Sequence, residues 1–278
     1  MGEKEPSMSS PLFTLITGAG QGIGYAFAEE CASRKMNLVL VSLPGEGLTE
    51  KGDALQTAHG IIVHVMELDL TQQESCTKLF NYVHEAGLRV NMLINNAGMG
   101  SNGAFEGFSP EFYQKQIYLN ITVPVTLTRI FIPILQKEAQ AYILNVSSMG
   151  AFFNMPQKEV YNASKSFLFS FTRSLQIHLE GSSISLSVVC PGPVDSNPRL
   201  VEIHQNLKGL AKKAVLKPSE VAKIALDGLI TKKPIIIPGK LNRLILALNG
   251  WIPAALKKSM MKKEMTRQEN LTKRLKSN

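Results

Sequence analysis

Apolar runs alternate with helix-like stretches along the chain from residue 11 to residue 240. Runs rich in Val, Ile and Leu lie at Leu12–Thr17, Leu38–Val41, Ile61–Leu68, Met92–Ile94, Tyr142–Val146, Ile184–Val189 and Ile235–Ile237. They lack the apolar–polar alternation of a strand with one wet face, so each is expected to be buried on both faces of a parallel sheet. Helices are expected between them, near 22–34, 46–58, 72–86, 110–137, 157–180 and 218–230. This succession predicts an α/β fold of Rossmann type: a doubly wound, seven-stranded parallel sheet with helices on both faces. No repeat, low-complexity run or Pro/Ser-rich linker interrupts residues 11–240, so one domain is expected there. Residues 1–10 form a tail before it and 241–278 an extension after it.

Composition narrows the picture. At 278 residues and 44% hydrophobic, the chain is long enough to bury one large core. Cys31, Cys76 and Cys190 are odd in number, far apart and without a CxxC pair or neighbouring His. Neither a disulfide framework nor a metal site is expected, and a reducing, cytoplasmic setting fits best. The opening MGEKEPSMSSP has no apolar region of the kind a signal peptide needs, and Pro6 stands where a myristoylation motif wants Ser or Thr. No stretch is expected to approach a membrane span. The net charge of +8 is concentrated at one end: residues 257–278 carry eight Lys or Arg against Glu264 and Glu269, a net +6.

The first strand runs into Thr17-Gly18-Ala19-Gly20-Gln21-Gly22-Ile23-Gly24, followed by helix-favouring residues. Glycines at such a junction let the backbone turn tightly against a pyrophosphate, whose charge a helix N-terminus favours. The spacing is Gly18-xxx-Gly22-x-Gly24, not GxGxxG, and no P-loop Lys is present. Tyr161 and Lys165, four apart on an expected helix, share one face. A free Tyr titrates at about 10, too high for proton transfer near neutrality, and a nearby ammonium favours the phenolate. Ser148 lies at the end of an expected strand, where ligands of such sheets bind; Ser147 is its neighbour. Pro124 has no N–H, so the carbonyl of Asn120 loses its intrahelical donor and the long helix 110–137 should kink there, with a water as the natural new partner.

The ordered segments TGAGQGIG (17–24), NNAG (95–98), NVSS (145–148), YNASK (161–165) and PGPVDS (191–196) resemble the classical short-chain dehydrogenase/reductase family, over roughly residues 11–240. The ending resembles that of its ketoacyl reductase-like branch. The resemblance implies an NAD(P)-dependent oxidoreductase that interconverts a small-molecule carbonyl and alcohol. It implies that Tyr161 exchanges the proton, that Lys165 tunes it and holds ribose hydroxyls, and that Ser148 holds the substrate oxygen. Asn120 would complete the tetrad through a water linked to Lys165. The turn Gly18, Gly20, Gln21, Gly22, Ile23 and Gly24 would receive the cofactor, with Asn96, Ala97 and Gly98 shaping the wall around the adenosine half. Pro191, Gly192 and Val194 would bind the carboxamide end, with Ser196 where relatives often carry Thr. Asp69, followed by Leu70, either holds the adenine amino group or caps the helix starting near Gln72.

The choice of dinucleotide turns on the end of the second strand, where a carboxylate suits NAD and an Arg suits NADP. Ser42-Leu43-Pro44-Gly45 offers neither. Without a carboxylate to repel a phosphate, and with Ser42 as a donor, the balance tips toward NADP(H). Met99, Phe152, Phe153 and Met155 flank the motifs, and Val194–Lys213 should form a lid. Such walls suit an acyl, lipid-like or steroid-like substrate, although each residue taken alone also reads as core. Arg199 and Lys208 read as solvated charges. The apolar stripe on helix 157–180 points to a homo-oligomer, a dimer or tetramer. The ending through Trp251 into the basic tail reads as a clamp over the site, as peripheral contact with anionic lipid, or as a solvated tail. Nucleic acid is not expected, since no aromatics interleave the charges. Two other classes remain: a catalytically silent dinucleotide sensor and a membrane-recruited assembly protein.

Overall fold

The computed structural model describes residues 10–249 and Ser259. The expected tail over residues 1–10, apart from Ser10, and Trp251 with the basic tail, apart from Ser259, lie outside the described residues.

Seven strands form one parallel sheet: β1 (Leu12–Thr17), β2 (Asn37–Ser42), β3 (Val63–Glu67), β4 (Arg89–Asn95), β5 (Ala141–Val146), β6 (Ile184–Val189) and β7 (Ile235–Ile236). Their spatial order is β3-β2-β1-β4-β5-β6-β7, and every pairing between them is parallel. The order reverses between β1 and β4, which opens a crevice at the carboxyl ends of those strands. β4 is longer than its apolar run because its polar ends are satisfied. Arg89 pairs with Glu138, and the Asn95 amide donates to Asn145 Oδ1 (2.8 Å) and Thr128 Oγ1 (3.1 Å).

Two apolar layers sandwich the sheet, and the period-2 geometry of a strand sorts side chains between them. Ile16, Leu38, Leu40, Ile94 and Val189 face helices α1 (Gly22–Ser33), α2 (Leu48–His59) and α9 (Pro218–Ile230). Leu15, Val39, Leu93 and Ile143 face α3 (Ser75–Glu85) and α5 (Val123–Leu135). Phe27 in the first layer and Phe131 in the second are wholly buried.

The helix expected over 110–137 is interrupted rather than uniform. It consists of α4 (Pro110–Ile117), a π turn over Tyr118–Thr122, and α5. The N–H of Val123 reaches back to the carbonyl of Tyr118, one residue further than in an α-helix. Pro124, which cannot donate, explains the wider turn: an α register would leave the Asn120 carbonyl without a donor. The stretch Pro110–Leu135 contains an 18-residue window of mean hydropathy 1.5 and is, by length and composition, long and apolar enough to cross a membrane, which corrects the expectation that nothing approaches a span. In this fold its apolar residues Val123, Leu127, Phe131 and Leu135 pack into the second layer.

Further α-helices among the described residues are α6 (Glu159–His178), α7 (Pro198–Gln205), α8 (Gly209–Lys213) and α10 (Lys240–Asn249). The expected lid over Val194–Lys213 thus contains α7 and α8. Asn197 caps α7 by accepting from the N–H of Leu200 at 2.9 Å, with Pro198 at the first helical position.

Candidate active site

The turn between β1 and α1 leaves no room for side chains. A Cβ on Gly18, whose φ is +66°, would lie 2.9 Å from Ala97 Cα, and one on Gly24 would lie 1.9 Å from the Gly18 carbonyl oxygen. Asn96 grips the turn from behind: its amide donates to the carbonyls of Thr17 and Gly18, both at 3.0 Å. The backbone N–H groups of Asn96 and Ala97 go to Thr17 Oγ1. Asn96 and Ala97 therefore shape the turn, and their donors face inward. Gln21 precedes α1, where no side chain caps the first-turn amides and no acidic residue stands. Ile23 packs on the first core layer and Gly22 abuts Ser196, whose carbonyl oxygen would lie 2.7 Å from an added Cβ. A side-chain-free turn backed by uncapped helix amides fits a dinucleotide pyrophosphate.

The Ser, Tyr, Lys and Asn side chains singled out in the sequence converge where β5, α6 and the π turn meet. Ser147 and Ser148 follow β5 and point differently. Ser147 Oγ donates to the Lys165 carbonyl at 2.8 Å and is buried. Ser148 Oγ accepts from the Gly150 N–H at 3.0 Å. Lys165, 5% exposed, donates from Nζ to the Val146 carbonyl at 2.9 Å. Its Nζ stands 5.9 Å from the centre of the Tyr161 ring.

Burial dominates the electrostatics at this centre. Burial pushes the Tyr161 phenol above its ordinary 10, and the group opposing that rise is Ser148. Burial also pushes the Lys165 ammonium down to about 8. Desolvation dominates both because each charged form must leave water for a packed interior. Lys165 Nζ is directed at the Val146 carbonyl and still lies 5.9 Å from the Tyr161 ring centre.

Asn120 is completely buried and its side chain is fully engaged. Oδ1 accepts from the Met99 N–H at 2.9 Å, while Nδ2 donates to the Met99 carbonyl (2.9 Å) and to Ser164 Oγ (3.0 Å). Gln116, one turn earlier and also buried, donates to the same carbonyl at 3.1 Å. Sequence reasoning passed over Gln116 and Ser164, which carry no motif. Gly98 sits between Asn120 and Lys165: an added Cβ would meet Asn120 Oδ1 at 3.1 Å and Lys165 Nζ at 3.3 Å.

At the end of β2 the structure revises two expectations. Ser42 is buried and its hydroxyl donates to the Leu43 carbonyl at 3.1 Å, so it does not face a phosphate. A carboxylate does stand at the rim. Glu46 folds back across Gly20, where an added Cβ would lie 1.9 Å from Glu46 Oε2, and its Oε1 accepts from Gln21 Nε2 at 3.3 Å. Lys51 Nζ donates to the Gly20 carbonyl at 2.6 Å and to that of Glu46 at 2.7 Å. Asp69 Oδ1 accepts from the N–H and hydroxyl of Thr71, at 2.9 and 2.8 Å, and Oδ2 from Gln72. These bonds hold its carboxyl below the usual range against the opposing effect of burial. They build a turn before α3, which starts at Ser75 and not near Gln72. Leu70 beside it is buried.

The segment after β6 closes the site. Leu216 pairs with it on both sides, donating to the Pro193 carbonyl and accepting from Asp195 N–H, and Val194 is buried. Pro191 takes the Met149 N–H at 2.8 Å, linking this segment to the one carrying Ser148. His204 on α7 holds Asp195 at 2.6 Å. Behind Gly192 lies the buried Asn242 of α10, 2.7 Å from the position of an added Cβ. Asn249 at the other end of α10 donates to the Phe152 carbonyl at 3.4 Å. Phe152 stacks edge-on against Phe169, and Phe152, Phe153, Met155 and Met99 are all half-buried. Arg199 and Lys208 are exposed. A separate cavity of about 420 Å³, lined by Leu12, Thr14, Met36, Asn37 and Asn91 among others, lies at the amino ends of the strands and holds none of these groups.

A parallel doubly wound sheet with a side-chain-free glycine turn at its crevice and a Ser–Tyr–Lys cluster beside it is the architecture of a nicotinamide-dinucleotide oxidoreductase. The short chain dehydrogenase family model matches residues 13–206, and the chain belongs to that family. It is 32% identical over 188 residues to the human 17-beta-hydroxysteroid dehydrogenase type 3, covering 66% of this chain but only 59% of that relative. It is 27% identical to the ketoacyl reductase HetN of Nostoc, covering 87% of this chain and 85% of HetN. A short-chain dehydrogenase from Sphingobium yanoikuyae, solved in complex with NADPH, superposes with a TM-score of 0.76 at 27% identity, covering 91% of this chain and 95% of that one.

Proposed function

We propose that this chain interconverts a carbonyl and a secondary alcohol on an apolar acyl, lipid-like or steroid-like substrate. The observation that carries the reading is the convergence of Ser148, whose hydroxyl opposes the upward push of burial on the phenol, and the Lys165 ammonium, 5.9 Å from the ring centre, on Tyr161. A nicotinamide dinucleotide held by the glycine turn Gly18–Gly24 would supply or take up the hydride. In the reducing direction Tyr161 Oη gives its proton to the substrate oxygen, and in the oxidising direction it takes that proton back. Ser148 Oγ orients the same oxygen. Lys165 places a positive charge beside the ring as the phenolate develops. Asn120 and Gln116 hold the Met99 peptide and so fix the wall between the two sites. The half-buried Phe152, Phe153 and Met155 support an apolar substrate.

The test is Tyr161→Phe, assayed against aliphatic, acyl and steroidal ketones with dinucleotide binding followed in parallel. The reading expects a fall in kcat of about 10²-fold or more with binding retained. Unchanged turnover on a true substrate overturns it, and binding without turnover by the wild-type chain on every ketone favours the silent sensor.

Two surface readings accompany it. Phe167 (43% exposed) and Ile177 (75%) on α6 support a homo-oligomer, checked by sedimentation of a Phe167→Glu variant. Leu244 (53% exposed) and Leu248 (51%) on α10, followed in sequence by the basic tail, support contact with anionic lipid. Truncation after Leu256 should then abolish liposome binding and leave turnover unchanged.

A further inference from the structure

We propose that Glu46 selects the cofactor of this chain, and that it selects NAD(H) over NADP(H). The inference rests on the glycine turn receiving a dinucleotide, and it concerns the rim of that turn.

A carboxylate about 20 residues beyond such a turn accepts the ribose hydroxyls of NAD, whereas a nearby guanidinium accepts the 2′-phosphate of NADP. Ser42 to Gly45, at the strand end, contain neither. The tertiary structure brings one from further along. Gly45 and Gly47, with φ of +82° and +65°, bend the segment so that Glu46 returns over the turn. Its two carboxylate oxygens then sit against Gly20 and Gln21, the residues between the pyrophosphate cradle and solvent.

Lys51 is a cation at this rim, and its geometry assigns it a different task. Nζ bonds the backbone carbonyls of Gly20 and Glu46, pinning the loop to the turn, and it lies 5.6 Å from the centre of the Tyr25 ring. No Lys or Arg occurs between Ser42 and Glu50, and Leu43 is exposed where an arginine could otherwise stand. Glu50 adds a second negative charge in the first turn of α2. A 2′-phosphate here meets like charge, while a ribose diol meets an acceptor.

The test is equilibrium binding to the full chain, using NADH, NADPH and the fragments 5′-ADP and 2′,5′-ADP, which report the ribose site without any turnover. The wild-type chain is expected to bind NADH at least tenfold tighter than NADPH, and to rank the fragments the same way. Glu46→Gln should shrink that ratio about tenfold, and Glu46→Arg should invert it. A wild-type preference for NADPH that Lys51→Gln removes overturns the proposal and makes Lys51 the phosphate ligand. A ratio unmoved by Glu46→Gln overturns it as well. Failure to bind any of the four compounds removes the dinucleotide reading of the turn itself, a result distinct from a reversed preference. The fragment ranking on wild-type protein decides the sign even where a variant fails to fold.

Discussion

Lys165 Nζ donates to the carbonyl oxygen of Val146 at 2.9 Å, so the ammonium of α6 closes over the carboxyl end of β5. The bond positions the charge beside Tyr161 and satisfies a backbone acceptor that the strand end leaves open. It also buries a cation with few compensating partners, which gives the site its own pH signature.

Burial lowers Lys165 from 10.5 to about 8. Between those values the folded side chain is neutral while the unfolded one still holds a proton, so a rise in pH favours the folded state. The penalty is present in full below pH 8 and gone above 10.5. Relative to Lys165→Met, the wild-type unfolding free energy is expected to rise by about 1 kcal/mol per pH unit within that window. Urea denaturation at a series of pH values measures the difference, and a flat line refutes the buried ammonium.

Ser148 opposes the upward push that burial gives Tyr161. Ser148→Ala should therefore move the phenol further up and displace the alkaline limb of the kcat/KM profile to higher pH. A loss of roughly 10²-fold in kcat/KM should accompany it, from removal of a hydrogen bond to the reacting oxygen. Ser147→Ala, which removes a bond to the Lys165 backbone, should leave that limb in place.

Asn120→Leu strips the Met99 peptide of both its N–H partner and one of its carbonyl partners. Leaving such buried groups unsatisfied costs about 1–3 kcal/mol each. A loss of about 3 kcal/mol is expected in chemical denaturation. Unchanged stability with lost activity would restrict Asn120 to a direct role in proton transfer.

Gly24→Ala puts a methyl 1.9 Å from the Gly18 carbonyl oxygen and 2.5 Å from Asn96 Nδ2. The turn must open, so dinucleotide affinity should fall at least tenfold. The fold loses about 1–3 kcal/mol by the same overpacking. Calorimetric titration against wild type checks the first and thermal unfolding the second.

Much of this was legible in the primary structure where a local rule governs. Buried parallel strands read as uninterrupted apolar runs, so the seven-stranded order of elements and the turn after β1 could be inferred before any contact was known. β4 reads short in the sequence because Arg89 and Asn95 look polar, and their partners across the fold satisfy them as strand residues. Helix α7 had a readable start in Asn197-Pro198 that periodicity alone passes over. The π turn was half legible: Pro124 announced a disturbed ladder, but not how the backbone would absorb it.

The amino-acid sequence by itself determined the class of fold and the glycine turn after β1, because these depend on periodicity and spacing within single elements, and its ordered motifs marked Ser148, Tyr161 and Lys165 as the candidates. The tertiary structure alone decided which groups meet. It turned Lys165 toward Val146, used Asn120 and Asn96 as clamps, and returned Glu46 over Gly20. Those outcomes depend on desolvation and on contacts between segments that lie far apart along the chain or are folded back by glycine turns, and no local pattern encodes either.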